Sequence, residues 1–293
     1  MAYQLKNELL AVDIANPGEY RGTRFDWSGF ITGVRFASHT FCVPESLVPG
    51  QGTGGIGLCS EFGIAQTIGY DEAESGGKFP KLGVGLLTRP DEAPYQFFRD
   101  YEAEPFSIMT EQQGAQSVTF TVLPEDCRGY AVRLVKTVAI EQNRLSVSVE
   151  LDNVGTRPVL TDEYCHNFFG IDGEPIGPDY VLRFPFAPSP WSDDPGTLNG
   201  LAFSGNEVTW ERQPEKDFYF RLPGVDGAEQ PWLWELVHRP SGLGVRERSK
   251  LPVAAAAVWG KGHVVSPEMF VEVKLAPGER QSWTRVYEFF KRM

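Results

Sequence analysis

The chain has 293 residues, 41% hydrophobic and 23% charged, enough apolar material for one large core or two small ones. Its 31 glycines and 22 prolines interrupt the chain too often for long helices and set aside an all-α fold. A formal charge of −12 repels phosphate backbones and anionic bilayers, so neither nucleic acid nor a membrane is expected as a partner.

Residues 1–20 carry neither the basic start nor the apolar core of an export signal, and no stretch approaches the ~20 apolar residues that span a bilayer. The four cysteines (Cys42, Cys59, Cys127, Cys165) form no CxxC pair, and a cytoplasmic protein with free thiols is the expectation. Segment 50–57, GQGTGGIG, contains a formal GxGxxG at Gly52, Gly54 and Gly57. LCSEFG follows it rather than a helix, so it reads as a flexible loop, at most a lid over a pocket. Period-two alternation then predicts strands at 117–123, 130–141 and 145–151, with Gln142-Asn143 as a tight turn. Further strands are predicted at 180–184, 218–222, 232–238, 243–248, 269–275 and 281–290, the last two joined by the turn Ala276-Pro277-Gly278-Glu279. Strands joined by short turns, with no three-turn amphipathic helix between them, predict antiparallel sheets. The expected architecture is all-β, one large β-sandwich domain over residues 1–293.

None of the four histidines (His39, His166, His238, His263) stands in an HxH, HxxxH or HExxH spacing, so no metal site is predicted, and GxSxG is absent. Carboxylate and imidazole acid–base chemistry is the simplest enzymatic reading. His166 lies in TDEYCHNFFGIDG, between acidic and aromatic neighbours. Glu268 lies in VVSPEMF, where proline, methionine and phenylalanine should desolvate the carboxyl and raise its pKa toward the range useful to a general base. Trp191, Trp210, Trp232, Trp234 and Trp259 offer flat faces for a sugar-sized cleft. Tyr70, Tyr95 and Tyr101 add hydroxyls, and Arg24, Lys81 and Arg99 add donors. From this set the substrate-binding candidates are Arg24, Tyr70, Lys81, Tyr95, Arg99, Trp191, Trp234 and Trp259.

The order of these motifs resembles a known family. HNFFGIDG (166–173) is similar to the histidine-bearing strand of the aldose 1-epimerases, or galactose mutarotases. PEMFVEVKLAPGERQSWTRVYEFF (267–290) resembles that family's ending. The family's arginine segment has no counterpart; EFG (61–63), GYDE (69–72) and KFPKLGVGLL (78–87) stand there instead, and His39 is a weak match for a second family histidine. The resemblance implies a galactose mutarotase-like supersandwich that interconverts the anomers of an aldose or sugar derivative without a cofactor, as a monomer or homodimer. It also implies His166 as acid and Glu268 as base, with Glu272 an alternative for the base. The two groups are expected to face each other across a groove about one pyranose ring wide. A carbohydrate-binding protein without catalysis, and a hexose-phosphate epimerase using Arg24, Lys81 and Arg99, are the competing expectations.

Overall fold

Arg144–Asn153 illustrates why the chain forms sheet. Leu145, Val147, Val149 and Leu151 are buried, while Ser146, Ser148, Glu150 and Asp152 are partly exposed, so one face of the strand is dry and the other wet. The same pattern recurs on Ser117–Val122, Val132–Glu141 and Arg280–Lys291. In the computed structural model, which describes residues 2–64, 67–225 and 232–292, these strands belong to a ten-stranded antiparallel sheet. A nine-stranded antiparallel sheet packs against it, and Lys78–Lys81, Gly85–Thr88 and Ala103–Pro105 form a small third sheet. Among the described residues there is no α-helix, only a 3-10 turn at Pro195–Leu198. The large antiparallel β-sandwich expected from the sequence is therefore the observed architecture.

One core cluster joins both large sheets. It includes Leu5, Val34, Leu58, Cys165 and Met269 from one and Val118, Val147, Leu236, Val245 and Tyr287 from the other. A buried charge group also crosses between them. Arg285 donates to Glu163 Oε2 at 2.7 Å and the Met269 carbonyl at 2.9 Å, and contacts Glu247 Oε1 at 3.4 Å. Burial of this kind costs much desolvation, and the single guanidinium offsets it by serving both carboxyls at once.

Both turns form where expected. Gln142 takes φ 52° between Glu141 and Arg144, and Gly278 takes φ 82° in a turn closed by Glu279 N–H donating to Ala276 O. All nine predicted strands overlap observed ones. No strands were predicted before residue 117, yet Tyr3–Lys6, Leu10–Ile14, Ile31–Phe36 and Leu58–Phe62 build half of the nine-stranded sheet. Leu58–Phe62 is buried on both faces, which erases the alternation that would reveal it. Val264–Leu275 begins five residues before the predicted 269 and runs through Pro267. There the Asn167 N–H donates to the Ser266 hydroxyl instead of the ladder, so the N–H that proline lacks is not needed on that side.

Candidate active site

The central strands of the nine-stranded sheet run in the order Leu58–Phe62, Val159–Asn167, Val264–Leu275, Val253–Lys261, Phe218–Arg221. Period two sorts their side chains. On Val159–Asn167, Glu163 and Asn167 reach Arg285 and Tyr287 of the other sheet, while Asp162, Tyr164 and His166 line a cleft of about 860 Å³ on the opposite face. On Val264–Leu275, Met269 joins the core, and Glu268, Phe270 and Glu272 line the cleft. Phe218–Arg221 adds Tyr219 and Arg221, Val253–Lys261 adds Ala255, Ala257, Trp259 and Lys261, and loops supply Arg24, Glu45 and Phe97.

His166 and Glu268, 102 positions apart in sequence, meet in this cleft. Their Nδ1 and Oε1 atoms are 3.4 Å apart, at an angle that makes no hydrogen bond. The expected separation of a pyranose width is thus corrected to direct contact. The reason is topological: the two strands are neighbours, with Tyr164 paired to Phe270, so residues one step along on the same face must touch. The His166 ring stacks on Phe168 at 4.1 Å and meets the edge of Trp259 at 5.0 Å. Burial holds its pKa well below the ordinary 6.5, and the Arg24 charge acts in the same direction. Burial pushes Glu268 up to about 8, with Ser266 and Arg24 opposing and Glu61 reinforcing. The Ser266 hydroxyl accepts the Asn167 N–H, so its own proton goes to Glu268 Oε1 at 3.0 Å. Oε2 is then the carboxyl oxygen left to carry and exchange a proton.

Beside the pair lies a buried polar network. Arg24 donates from Nε to Glu61 at 2.9 Å, and from its terminal nitrogens to Thr53 Oγ1 at 3.1 Å and the Tyr164 hydroxyl at 3.0 Å. Tyr164 in turn donates to Glu61 at 2.6 Å. Lys81 contacts the other Glu61 oxygen at 3.7 Å and donates to the Tyr95 hydroxyl at 2.9 Å, and burial lowers its pKa. The Arg24 guanidinium lies over the Phe97 ring at 4.5 Å. Thr53 belongs to the glycine-rich segment, and its N–H and hydroxyl both donate to Glu45. That segment therefore buttresses the cleft wall and runs directly into the Leu58–Phe62 strand.

The structure brings Arg24, His166, Trp259 and Glu268 into the cleft and leaves the other candidates outside it. Lys81 and Tyr95 stand behind Glu61. Tyr70 is buried among Phe79, Tyr95 and Tyr101, its hydroxyl donating to Ala93 O. Arg99 pairs with Asp91 at 2.8 Å. Trp234 lies in the inter-sheet core, donating to Glu247 at 2.6 Å; its strand is in the ten-stranded sheet, which packs against the face opposite the cleft. Trp191, 47% exposed, pairs backbone to backbone with Arg221 just beyond the cleft lining. Glu272 sits at the cleft margin, ion-paired with Lys274 at 2.7 Å, while Glu268 faces the imidazole. His39 bonds Asp172 at 2.7 Å, outside the cleft lining. Sequence reasoning missed Tyr164 and Ser266, each two residues before a candidate and so on the same strand face. It also missed Tyr219, Arg221 and the alanine run 254–257, an unusual composition for a strand. Glu61 carries no sequence signal. Among the described residues no three His, Cys, Asp or Glu side chains cluster as metal ligands do.

No protein-family model matches the sequence, and no curated protein matches it. Solved structures do. A galactose mutarotase related enzyme from Lactobacillus acidophilus superposes with TM-score 0.61 at 14% identity, covering 99% of this chain and 98% of its own. A galactose mutarotase-like protein from Lactobacillus casei gives 0.61 at 13%, covering 99% and 100%. An aldose epimerase homologue from C. elegans gives 0.59 at 12%, covering 99% of each. At such identities the likeness speaks to architecture. The chain has the galactose mutarotase-like fold.

Proposed function

We propose that the protein is an aldose 1-epimerase-like enzyme that interconverts the anomers of a sugar, with His166 and Glu268 exchanging the protons. The 3.4 Å contact of imidazole and carboxyl on the wall of an open cleft carries this reading. The anomeric hydroxyl and the ring oxygen are bonded to the same carbon, so two neighbouring groups are able to serve both. Burial favours a neutral imidazole and a protonated carboxyl at rest. Ring opening then starts with His166 taking the anomeric proton while Glu268 gives its proton to the ring oxygen. The C1–C2 bond of the aldehyde rotates, and closure on the other face returns both protons. These roles are the reverse of those implied by sequence resemblance, with the same single proton held by the pair.

His166→Ala and Glu268→Gln should each lower kcat for a turned-over sugar about a hundredfold or more, with unchanged circular dichroism. Mutarotation by NMR or polarimetry measures this, and full turnover in both variants removes the assignment. The kcat/KM profile should be bell-shaped. Its alkaline limb falls through about 8 as Glu268 loses its proton, and its acid limb lies well below 6.5, where His166 gains one.

Arg24 favours a second reading, a sugar-binding protein without catalysis, because its donors are spent on Thr53, Glu61 and Tyr164 rather than aimed at a ligand. Calorimetric sugar binding with no acceleration of mutarotation selects it. A hexose-phosphate substrate lacks support. Arg24 and Lys81 share Glu61, Arg99 pairs with Asp91, and the other cleft cations, Arg221 and Lys261, bond Tyr219 and Asp217.

A further inference from the structure

The cleft is larger than one sugar ring requires. Glu268, Phe270 and Glu272 all line it, so it runs about 13 Å along one strand at ~3.3 Å per residue. It also crosses four strands, about 14 Å at ~4.8 Å spacing. Its volume of about 860 Å³ lies near the upper end of the range that holds drug-sized ligands.

The acid–base pair stands at one end of this stretch, His166 and Glu268 being the last cleft residues on their own strands, and the open floor continues to the other side of them. The cross-strand row Arg221, Ala257, Glu268 carries the pair, and Tyr219 and Trp259 flank it on one side. On the other side Ala255 pairs with Phe270 and Phe270 with Tyr164, and beyond them Asp162 pairs with Glu272. The strand Val253–Lys261 is cleared for this second part. Ala255 faces the cleft opposite Phe270, and a bulge at Ala254 adds another alanine to the lining. Alanine is disfavoured in strands, where larger side chains pack better, so its use here keeps volume free. The Tyr164 and Phe270 rings stack at 4.7 Å and give that space a flat aromatic wall. Its far end is formed by Asp162, which accepts the Ile64 N–H at 3.0 Å, and by Glu272, ion-paired with Lys274 at 2.7 Å; like the cations of the cleft, both acids are already partnered, so nothing in this part calls for a charged ligand group.

We propose that the substrate is the reducing-end sugar of a short uncharged oligosaccharide, with the reacting ring over Ala257 and the next sugar unit over Ala255 against the Tyr164–Phe270 stack. This rests on the acid–base reading above and adds the substrate class. Mutarotation of glucose and galactose is compared with that of maltose, cellobiose and lactose, in the wild type and in Ala255→Phe. Ala255→Leu serves as a smaller block should the phenylalanine variant fail to fold. At least one disaccharide should show kcat/KM about tenfold or more above its parent monosaccharide, and filling the space above Ala255 should lower that ratio about tenfold. A wild type that turns over monosaccharides as well as every disaccharide, or a ratio unmoved by the block, overturns the proposal. If no sugar is turned over, the acid–base reading fails separately. Calorimetry then decides the substrate class: disaccharide binding about tenfold tighter than monosaccharide binding upholds it, and equal or absent binding overturns it.

Discussion

Glu268 shows how far a few neighbours can move one group. Proline, methionine and phenylalanine around it in sequence announced desolvation, and the folded carboxyl is pushed up to about 8 from 4.5. Between those values the folded chain holds a proton that the unfolded chain has lost, so this residue withdraws stability as pH rises through the interval. Glu268→Gln removes the effect. Thermal melts should show the variant little changed near pH 5 and more stable than wild type near pH 9, where even ~1 kcal/mol moves Tm by about 2–4 °C. A difference independent of pH would show that the carboxyl is not perturbed. At this scale the sequence was partly legible. His166 and Glu268 were marked by their neighbours, but Trp234 and Tyr70 were not separable from cleft residues, because an aromatic side chain serves a core and a sugar site equally well.

Strands were legible where one face is wet. Ser117–Val122, Val132–Glu141 and Arg144–Asn153 alternate and were found; Leu58–Phe62, dry on both sides, and the alanine-rich Val253–Lys261 were not. The buried Arg285 ties three strands through Glu163, Glu247 and Met269. Arg285→Ala leaves two carboxylates without their cation and should cost about 3–5 kcal/mol in urea denaturation. Arg285→Met combined with Glu163→Leu should recover part of that loss. A single variant as stable as wild type would show that the group contributes nothing to holding the sheets together.

At the scale of the molecule, one apolar cluster shared by both large sheets predicts one cooperative transition. Melting followed by tryptophan fluorescence and by far-ultraviolet circular dichroism should coincide, and two separated midpoints would divide the sandwich into independently folding parts. The sandwich class was readable because it follows from strand succession alone. The cleft was not, since it is assembled from loops and strands as distant as Arg24, Phe97, Glu268 and the segment around Thr53.

Val159–Asn167 presents Glu163 to the opposing sheet and His166 to the cleft. Inserting or deleting one codon between them would turn the imidazole inward and break the register of everything after it. The nine residues of this strand must therefore be inherited at fixed length by descendants of this gene, so insertions and deletions are channelled into the connecting loops.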